Sequence, residues 1–259
     1  MKREDRQQAI MDLLVADGEV GVEELATGFS VSKMTIHRDL DELEAAGFLR
    51  KIRGGATIRS GTRFESDFRF RERQGGAAKE AMASEALKLI EPGMTVMIND
   101  GSMAAVLGQK LVSPRPSTVI TNNEAVIDAL KNETGVTLIA LGGAYSRKFN
   151  AFLGRVCEDA LANLRADIAF ISSPAVSGGE VFHMDDMVVS AKRAMMAAAR
   201  RRCLLVNHTR FGHTALYKLA DLSEFDHIIT DQAPPPEQVN VFRESGLPLI
   251  IANAETSPE

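Results

Sequence analysis

Tryptophan is absent from the 259 residues, and tyrosine and cysteine occur twice each. Two thiols, Cys157 and Cys203, cannot build a disulfide framework, and both stand among apolar neighbours, so they are expected as reduced core residues. No apolar run approaches the ~20 residues that a membrane helix needs. The opening MKREDRQQ has no hydrophobic signal core, and a cytoplasmic address is expected. A Walker loop, a dinucleotide fingerprint and a nucleophile triad are also missing. The charge balance, 30 basic against 35 acidic residues, gives a net −5 and excludes a uniformly basic coat for nucleic acid. It leaves room for a local basic face, because position matters more than the sum. With 45% apolar and 25% charged residues, the chain has the makings of a folded globular protein of one to two domains. There is no internal repeat or low-complexity tract.

Residues 1–58 read as three helices and a hairpin. The first helix, over 3–16, places Ile10, Leu13 and Leu14 on one face and stops at Asp17-Gly18. The second covers 22–29, with Leu25, Ala26 and Phe29 inward. The third starts at Ser32, a good N-cap, turns Ile36, Leu40 and Leu43 inward, and closes at Gly47. Residues 48–57 form a small hairpin turning near Arg53-Gly54-Gly55. A polar, arginine-rich connection follows over 59–76, with Phe64, Phe68 and Phe70 available to dock it. From residue 77 to 253, short apolar strands alternate with helices. Strands are expected at 95–99, 117–121, 136–141, 168–172, 203–207, 227–230 and 248–252. Helices are expected near 78–90, 103–112, 123–132, 156–164, 187–201 and 236–245. Residues 254–259 form a tail. The fold class is α/β: an N-terminal winged helix-turn-helix joined to a C-terminal layered α/β domain with a mainly parallel sheet.

A short helix, a tight turn and a further helix fit a DNA reader whose last helix enters the major groove. The candidate contacts are Ser32, Lys33, Met34, Thr35, His37 and Arg38. Arg38 can donate two hydrogen bonds to a guanine, while Met34 and Thr35 can touch a thymine methyl. Arg50, Lys51 and Arg53 belong to the wing. Residues 50–73 hold eight basic against three acidic residues, and the first 49 are net acidic. The acids Asp39, Asp41, Glu42 and Glu44 of the third helix are expected to face away from DNA. The same pattern also fits a small helical subdomain with a solvated charged face.

In an open α/β sheet, ligands sit beyond the carboxyl ends of the strands. There this chain places Asn99-Asp100-Gly101-Ser102-Met103, Thr121-Asn122-Asn123, Leu141-Gly142-Gly143-Ala144, Ser172-Ser173 and Asn207-His208-Thr209-Arg210. Small residues let backbone N–H groups approach an anion, and Asp100-Gly101-Ser102 leads straight into a helix. Lys192 and Arg210 are candidate cationic partners. Each feature also has a plain reading: a capped turn, a tight turn, a solvated lysine.

The segment VGVEELATGFSVSKMTIHRDLDELEAAGFLRKIRGGA, residues 20–56, resembles the N-terminal signature of DeoR-type transcriptional repressors: a VxELA-type helix followed by VSxxTIRRDLxxLExxGxLxRxxGGA. The resemblance continues through EPGMTVMINDGSM, TVITNN, LGGAYSRKFNAFLG, RADIAF, VVSAKRAMMAAA, NHTRFG and HIITD, and so covers nearly the whole chain to Asp231. It implies operator binding by the winged unit. It also implies a sensor domain similar in fold to ribose-5-phosphate isomerase and glucosamine-6-phosphate deaminase. The loop over 100–103 would hold phosphate, and Asn122, Gly142, Gly143 and Lys192 would line the pocket.

Several positions depart from the family pattern. His37 replaces the first arginine of TIRRDL, which can alter the operator sequence read or add a pH dependence. Arg53 replaces a histidine. Gly101-Ser102-Met103-Ala104 lacks one or two hydroxyls of the usual loop. Asn207-His208-Thr209-Arg210-Phe211-Gly212 stands for Asp-x-Ser-Lys-Phe-Gly, keeping the cation as a guanidinium fork but losing the carboxylate. Ser172-Ser173-Pro174 stands for a glycine-rich loop. These changes point to an effector unlike that of the best-known members.

The main reading is a regulator, a repressor of a carbohydrate or polyol catabolic operon. Its expected partners are double-stranded operator DNA, a phosphorylated sugar or polyol effector, and a second copy of the chain in a homodimer or higher oligomer. No membrane partner is expected. The alternative is a sugar-phosphate isomerase or deaminase-like enzyme with an accessory DNA-binding domain. It is disfavoured because Ser172-Ser173 stands where the isomerases carry a catalytic carboxylate. A third reading is an interaction module without an effector. His183, Asp185 and Asp186 offer too few ligands for a metal site, and no cofactor is expected.

Overall fold

The computed structural model describes residues 2–45, 48–57, 68–111 and 117–252. Gly47, Arg59, Phe64 and the tail lie outside the described residues. The chain divides into two units, Met1–Gln74 and Gly75–Glu259.

In the first unit, α1 (Arg3–Asp17) ends at Gly18, whose left-handed φ of 76° lets its N–H donate to the Leu14 carbonyl at 2.9 Å. β1 (Glu19–Gly21) leads into α2 (Val22–Gly28), then α3 (Lys33–Ala45), β2 (Arg50–Ile52) and β3 (Gly55–Thr57). The wing is β2 and β3, and β1 joins it in an antiparallel sheet of order β1-β3-β2. Three residues are too few to show a strand's alternation, which hid β1 from the sequence. A short α4 (Phe68–Arg73) follows and buries Phe68.

Ile10, Leu14, Leu25, Ile36 and Leu40 are almost completely buried and form the core. Full burial of such a side chain contributes roughly 1.5–3 kcal/mol. Leu13 corrects the sequence reading, since 40% of it remains exposed. The buried stripe of α1 runs through Arg6, Ile10, Met11 and Leu14, which leaves Leu13 at its edge.

The second unit opens with α5 (Gly76–Leu87), followed by β4 (Thr95–Ile98), α6 (Ser102–Lys110), β5 (Thr118–Thr121), α7 (Glu124–Leu130) and β6 (Thr137–Ala140). A hairpin of β7 (Ala144–Ser146) and β8 (Ala151–Leu153) precedes α8 (Arg155–Ala162). Then come β9 (Ala166–Ser172), β10 (Ala175–Ser177), β11 (Glu180–His183), α9 (Asp186–Ala198) and β12 (Ala199–Leu205). β13 (Tyr217–Asp221), β14 (His227–Thr230), α10 (Pro236–Ser245) and β15 (Leu249–Ile251) complete the chain.

All seven strands expected from the sequence enter one parallel sheet of order β15-β14-β12-β9-β4-β5-β6. Both faces are covered, so the strands read as unbroken apolar runs. Along β9, Ile168 and Phe170 join the core under α5, α6 and α7, while Ala169 and Ile171 join the core with α8, α9 and α10. Cys157 and Cys203 are free thiols buried on opposite faces of the sheet. The helix expected over 187–201 stops earlier, because Ala199 turns to extended backbone and pairs with Ala166. The β7–β8 hairpin and a three-stranded antiparallel sheet of β10, β11 and β13 occupy stretches whose sequence showed no strand.

Candidate DNA-reading face and effector site

Helical phase decides what α3 presents. Ile36, Asp39, Leu40 and Leu43 face the core, so Lys33, Met34, Arg38 and Asp41 are exposed, with Thr35 and His37 half-buried. Ser32 accepts the Thr35 N–H at 3.2 Å and shares a 2.9 Å hydroxyl contact with it, which caps the helix. Met34 is 74% exposed. Arg38, Arg50 and Arg53 are exposed and form no ion pair among the described residues. Lys33 is instead paired with Glu23 of α2, and Lys51 with Asp41 of α3.

The acids of the third helix divide among different partners. Asp39 is buried and accepts two hydrogen bonds from Arg6. It sits three residues after Ile36, on the inward face. Asp41 and Glu44 both reach the wing, Glu44 by accepting the Lys51 N–H at 2.7 Å. Glu42, like Asp39, turns toward α1, where it meets Arg3 and Gln7.

The wing depends on its glycines. Gly54 has φ +82°, and a Cβ on Gly55 would lie 2.0 Å from the Val20 carbonyl oxygen. The Gly54 carbonyl accepts the Val22 N–H at 2.8 Å. Close approach of two backbones thus locks the wing to β1.

In the second unit, the strand order reverses between β4 and β9, the switch point where the carboxyl ends of an open sheet part to form a crevice. The polar residues converge there. Asn99 bridges the two strands: its Oδ1 accepts the Ser172 N–H at 3.1 Å and its Nδ2 donates to Ser172 Oγ and Asp100 Oδ1, both at 3.3 Å. Lys192, brought from α9, donates to the Ser172 carbonyl at 2.8 Å and stands 3.5 Å from Asp100 Oδ1. The Lys192 and Asp100 side chains are 3% and 2% exposed. A buried charge needs a partner, and this pair neutralises itself at the centre of the switch point. The reading of Lys192 as a solvated helix residue is thereby excluded.

Gly101 takes φ 107° and starts α6, with Ser102 and Met103 buried in its first turn. Asn123 is fully used in shaping this corner. Its Nδ2 donates to the Gly101 and Asn99 carbonyls, and its Oδ1 caps α7 through the Ala125 N–H. Asn122 ties the β7–β8 hairpin down, exchanging backbone and side-chain hydrogen bonds with Phe152. Its Oδ1 is buried and has no partner among the described residues. Gly142 and Gly143 are exposed, and a Cβ on Gly143 would meet the Leu153 carbonyl oxygen at 2.5 Å. Arg210 lies half-buried on a 3-10 turn after β12. That turn is anchored by His208, whose backbone N–H and ring Nδ1 both meet the buried Asp231 carboxylate at 2.7 Å. His183 is buried against Phe149, Asp185 caps α9, and no metal-holding cluster occurs among the described residues.

The sequence placed Asn99 and His208 at the carboxyl ends of strands without giving either a role, and it missed Asp231 as the partner of His208. A polar residue closing an apolar strand was the available signal for Asn99. Nothing local pointed to a pair 23 residues apart.

A surface depression of about 390 Å³ lies at the other end of the sheet, lined by Thr95, Arg165, Asp167 and Arg200. Its arginines are mostly solvated, and the buried Lys192–Asp100 pair stands at the opposite edge of the sheet.

Two family models match the two units. A DeoR-like helix-turn-helix domain covers residues 6–62, and a DeoR C-terminal sensor domain covers residues 75–232. The L-fucose operon activator of Haemophilus influenzae is 32% identical, over 89% of this chain and 92% of its own. The glycerol-3-phosphate regulon repressor of Escherichia coli is 28% identical, over 97% of this chain and 100% of its own. Among solved structures, ribose 5-phosphate isomerase A of Methanocaldococcus jannaschii aligns with a TM-score of 0.38 at 21% identity, over 51% of this chain and 53% of that one. The chain belongs to the DeoR family of helix-turn-helix transcriptional regulators. It is a DNA-binding regulator rather than an enzyme.

Proposed function

We propose that this regulator represses an operon for carbohydrate or polyol breakdown in the cytoplasm and is released by a phosphorylated sugar-like effector. The buried Lys192–Asp100 pair at the switch point carries the effector half of this reading. A charged pair held away from water, beside a helix N-terminus and a row of amides and hydroxyls, suits a ligand that combines an anion with several hydroxyl groups. Gly101, Ser102 and Met103 would offer backbone N–H groups to the phosphate. Lys192, Asp100 and Asn122 would read the hydroxyls, with Gly142, Gly143 and Arg210 at the margin and Asn123 holding the loop in shape.

Operator DNA would be read by Ser32, Lys33, Met34, Thr35, His37 and Arg38, with Arg50, Lys51 and Arg53 on the backbone. Paired half-sites call for at least a dimer. The effector must favour the arrangement that does not bind DNA, or it shifts nothing. The relative named for glycerol-3-phosphate supports a phosphorylated effector.

The test is a thermal-shift screen of phosphorylated sugars and polyols on the full chain, followed by operator release with any compound that stabilises it. Stabilisation by mass action is expected for a true ligand. A screen in which no compound both stabilises the chain and releases DNA defeats the reading.

A further inference from the structure

We propose that Glu23 and Asp41 act as built-in competitors of DNA phosphate, holding Lys33 and Lys51 until the duplex displaces them and so lowering the affinity of the head for DNA. The inference rests on the DNA-reading face proposed above.

The charge inventory of the head is the starting point. Residues 1–57 contain eight basic and eleven acidic residues, so this DNA reader is net negative. Affinity for a duplex must then come from where the cations stand. The cations of the reading face fall into two groups. The three arginines, Arg38, Arg50 and Arg53, have no ion pair among the described residues, while each of the two lysines is held by a carboxylate. Lysine is a point charge suited to phosphate, whereas arginine also reads a base edge with its fork. The acids thus sit on the cations whose contribution to binding is independent of sequence.

Geometry supports an exchange role over a structural one. Glu23 and Asp41 are 81% and 60% exposed at the side chain, so neither bond is part of a packed core. Asp41 lies three residues after Arg38 on the same exposed strip of α3, within the face that meets DNA. Lysine can swing from carboxylate to phosphate without moving the backbone. The Glu23 carboxyl is held below its ordinary range by its hydrogen bond to Lys33 and by that ammonium charge, so the competitor stays ionised.

The experiment measures binding of the full-length chain to two duplexes of about thirty base pairs, one random and one selected from a random pool by the wild type, across a salt series. The variants are Glu23→Gln, Asp41→Asn, Lys33→Ala, Lys51→Ala and, as a charge control, Glu24→Gln. Glu24 neighbours Glu23, is exposed and has no ion pair among the described residues. Exposed pairs contribute little singly, so Glu23→Gln and Asp41→Asn should each tighten binding to both duplexes by about two- to five-fold. The gain should fade as salt rises. An equal gain in Glu24→Gln would assign the effect to net charge and overturn the proposal. So would unchanged affinity in Glu23→Gln and Asp41→Asn while Lys33→Ala and Lys51→Ala weaken binding. Wild-type affinity in both lysine variants would instead show that the reading face itself is misplaced.

Discussion

Arg6 of α1 donates to Asp39 of α3 from Nε at 2.5 Å and from Nη2 at 3.1 Å, and both side chains are buried. One guanidinium therefore ties α1 to the helix that carries the proposed DNA-reading residues. The hydrogen bond to Asp39, and then its charge, raises the Arg6 pKa further.

Removing one partner of this pair leaves the other charged and buried. Asp39→Ala or Arg6→Ala should cost the head about 3–5 kcal/mol and abolish DNA binding through unfolding of the unit. Replacing both by apolar residues, as in Arg6→Met with Asp39→Leu, should recover most of that loss. Chemical denaturation of the three variants checks this. A single variant as stable as wild type would show that the pair is dispensable.

Gly55 and Gly54 should respond differently to alanine. At Gly54 the penalty is conformational, about 1–2 kcal/mol for a left-handed residue with open space around it. At Gly55 the new methyl meets a backbone oxygen that cannot give way. Gly55→Ala should therefore detach the wing from β1 and weaken DNA binding well beyond Gly54→Ala. Amide exchange of the Val22 N–H, which is bonded to Gly54, reports the detachment directly.

Lys192→Met should strip Asp100 of its cation and destabilise the second unit by about 3–5 kcal/mol. Asp100→Asn combined with Lys192→Met keeps the shape without the charges and should recover much of that stability. If Lys192 also reads the effector, the double variant folds but shows no thermal shift with a compound that stabilises wild type. A retained shift would remove Lys192 from the proposed effector site.

Burial first, and then the hydrogen bond to the Glu124 carboxylate, pushes the Tyr145 hydroxyl up to about 12 from an ordinary 10.0. The folded state thus keeps a proton that the unfolded state has lost. This contribution to stability is complete below about pH 10 and disappears as pH rises through 12. With only two tyrosines in the chain, Tyr217→Phe leaves one to follow by ultraviolet titration. A midpoint near 10 in the folded protein would contradict the assignment.

All seven strands of the main sheet were legible because a strand covered on both faces must be apolar throughout, and turn residues bracket each run. The inward set of α3 was legible from spacing alone, since Ile36, Leu40 and Leu43 repeat at the helical period. By contrast, β7, β8, β10, β11 and β13 are three to five residues long and exist by pairing across the fold. Leu13 was misplaced because local spacing locates a stripe without giving its edge. Asp39 and Asp41 were grouped as acids facing away from DNA, and their partners lie 33 and 10 residues away.

By itself, the order of residues determined the helices and the seven strands of the main sheet, the change of pattern near residue 77, and the convergence of polar residues at one sheet edge. These follow from periodicity and turn chemistry, which act over a few residues. Only the tertiary structure decided which charges are spent on one another: Arg6 on Asp39, Lys192 on Asp100, Lys33 on Glu23 and Lys51 on Asp41. Such partners are chosen by distance in space and by the cost of leaving a charge without water, and neither can be read along the chain.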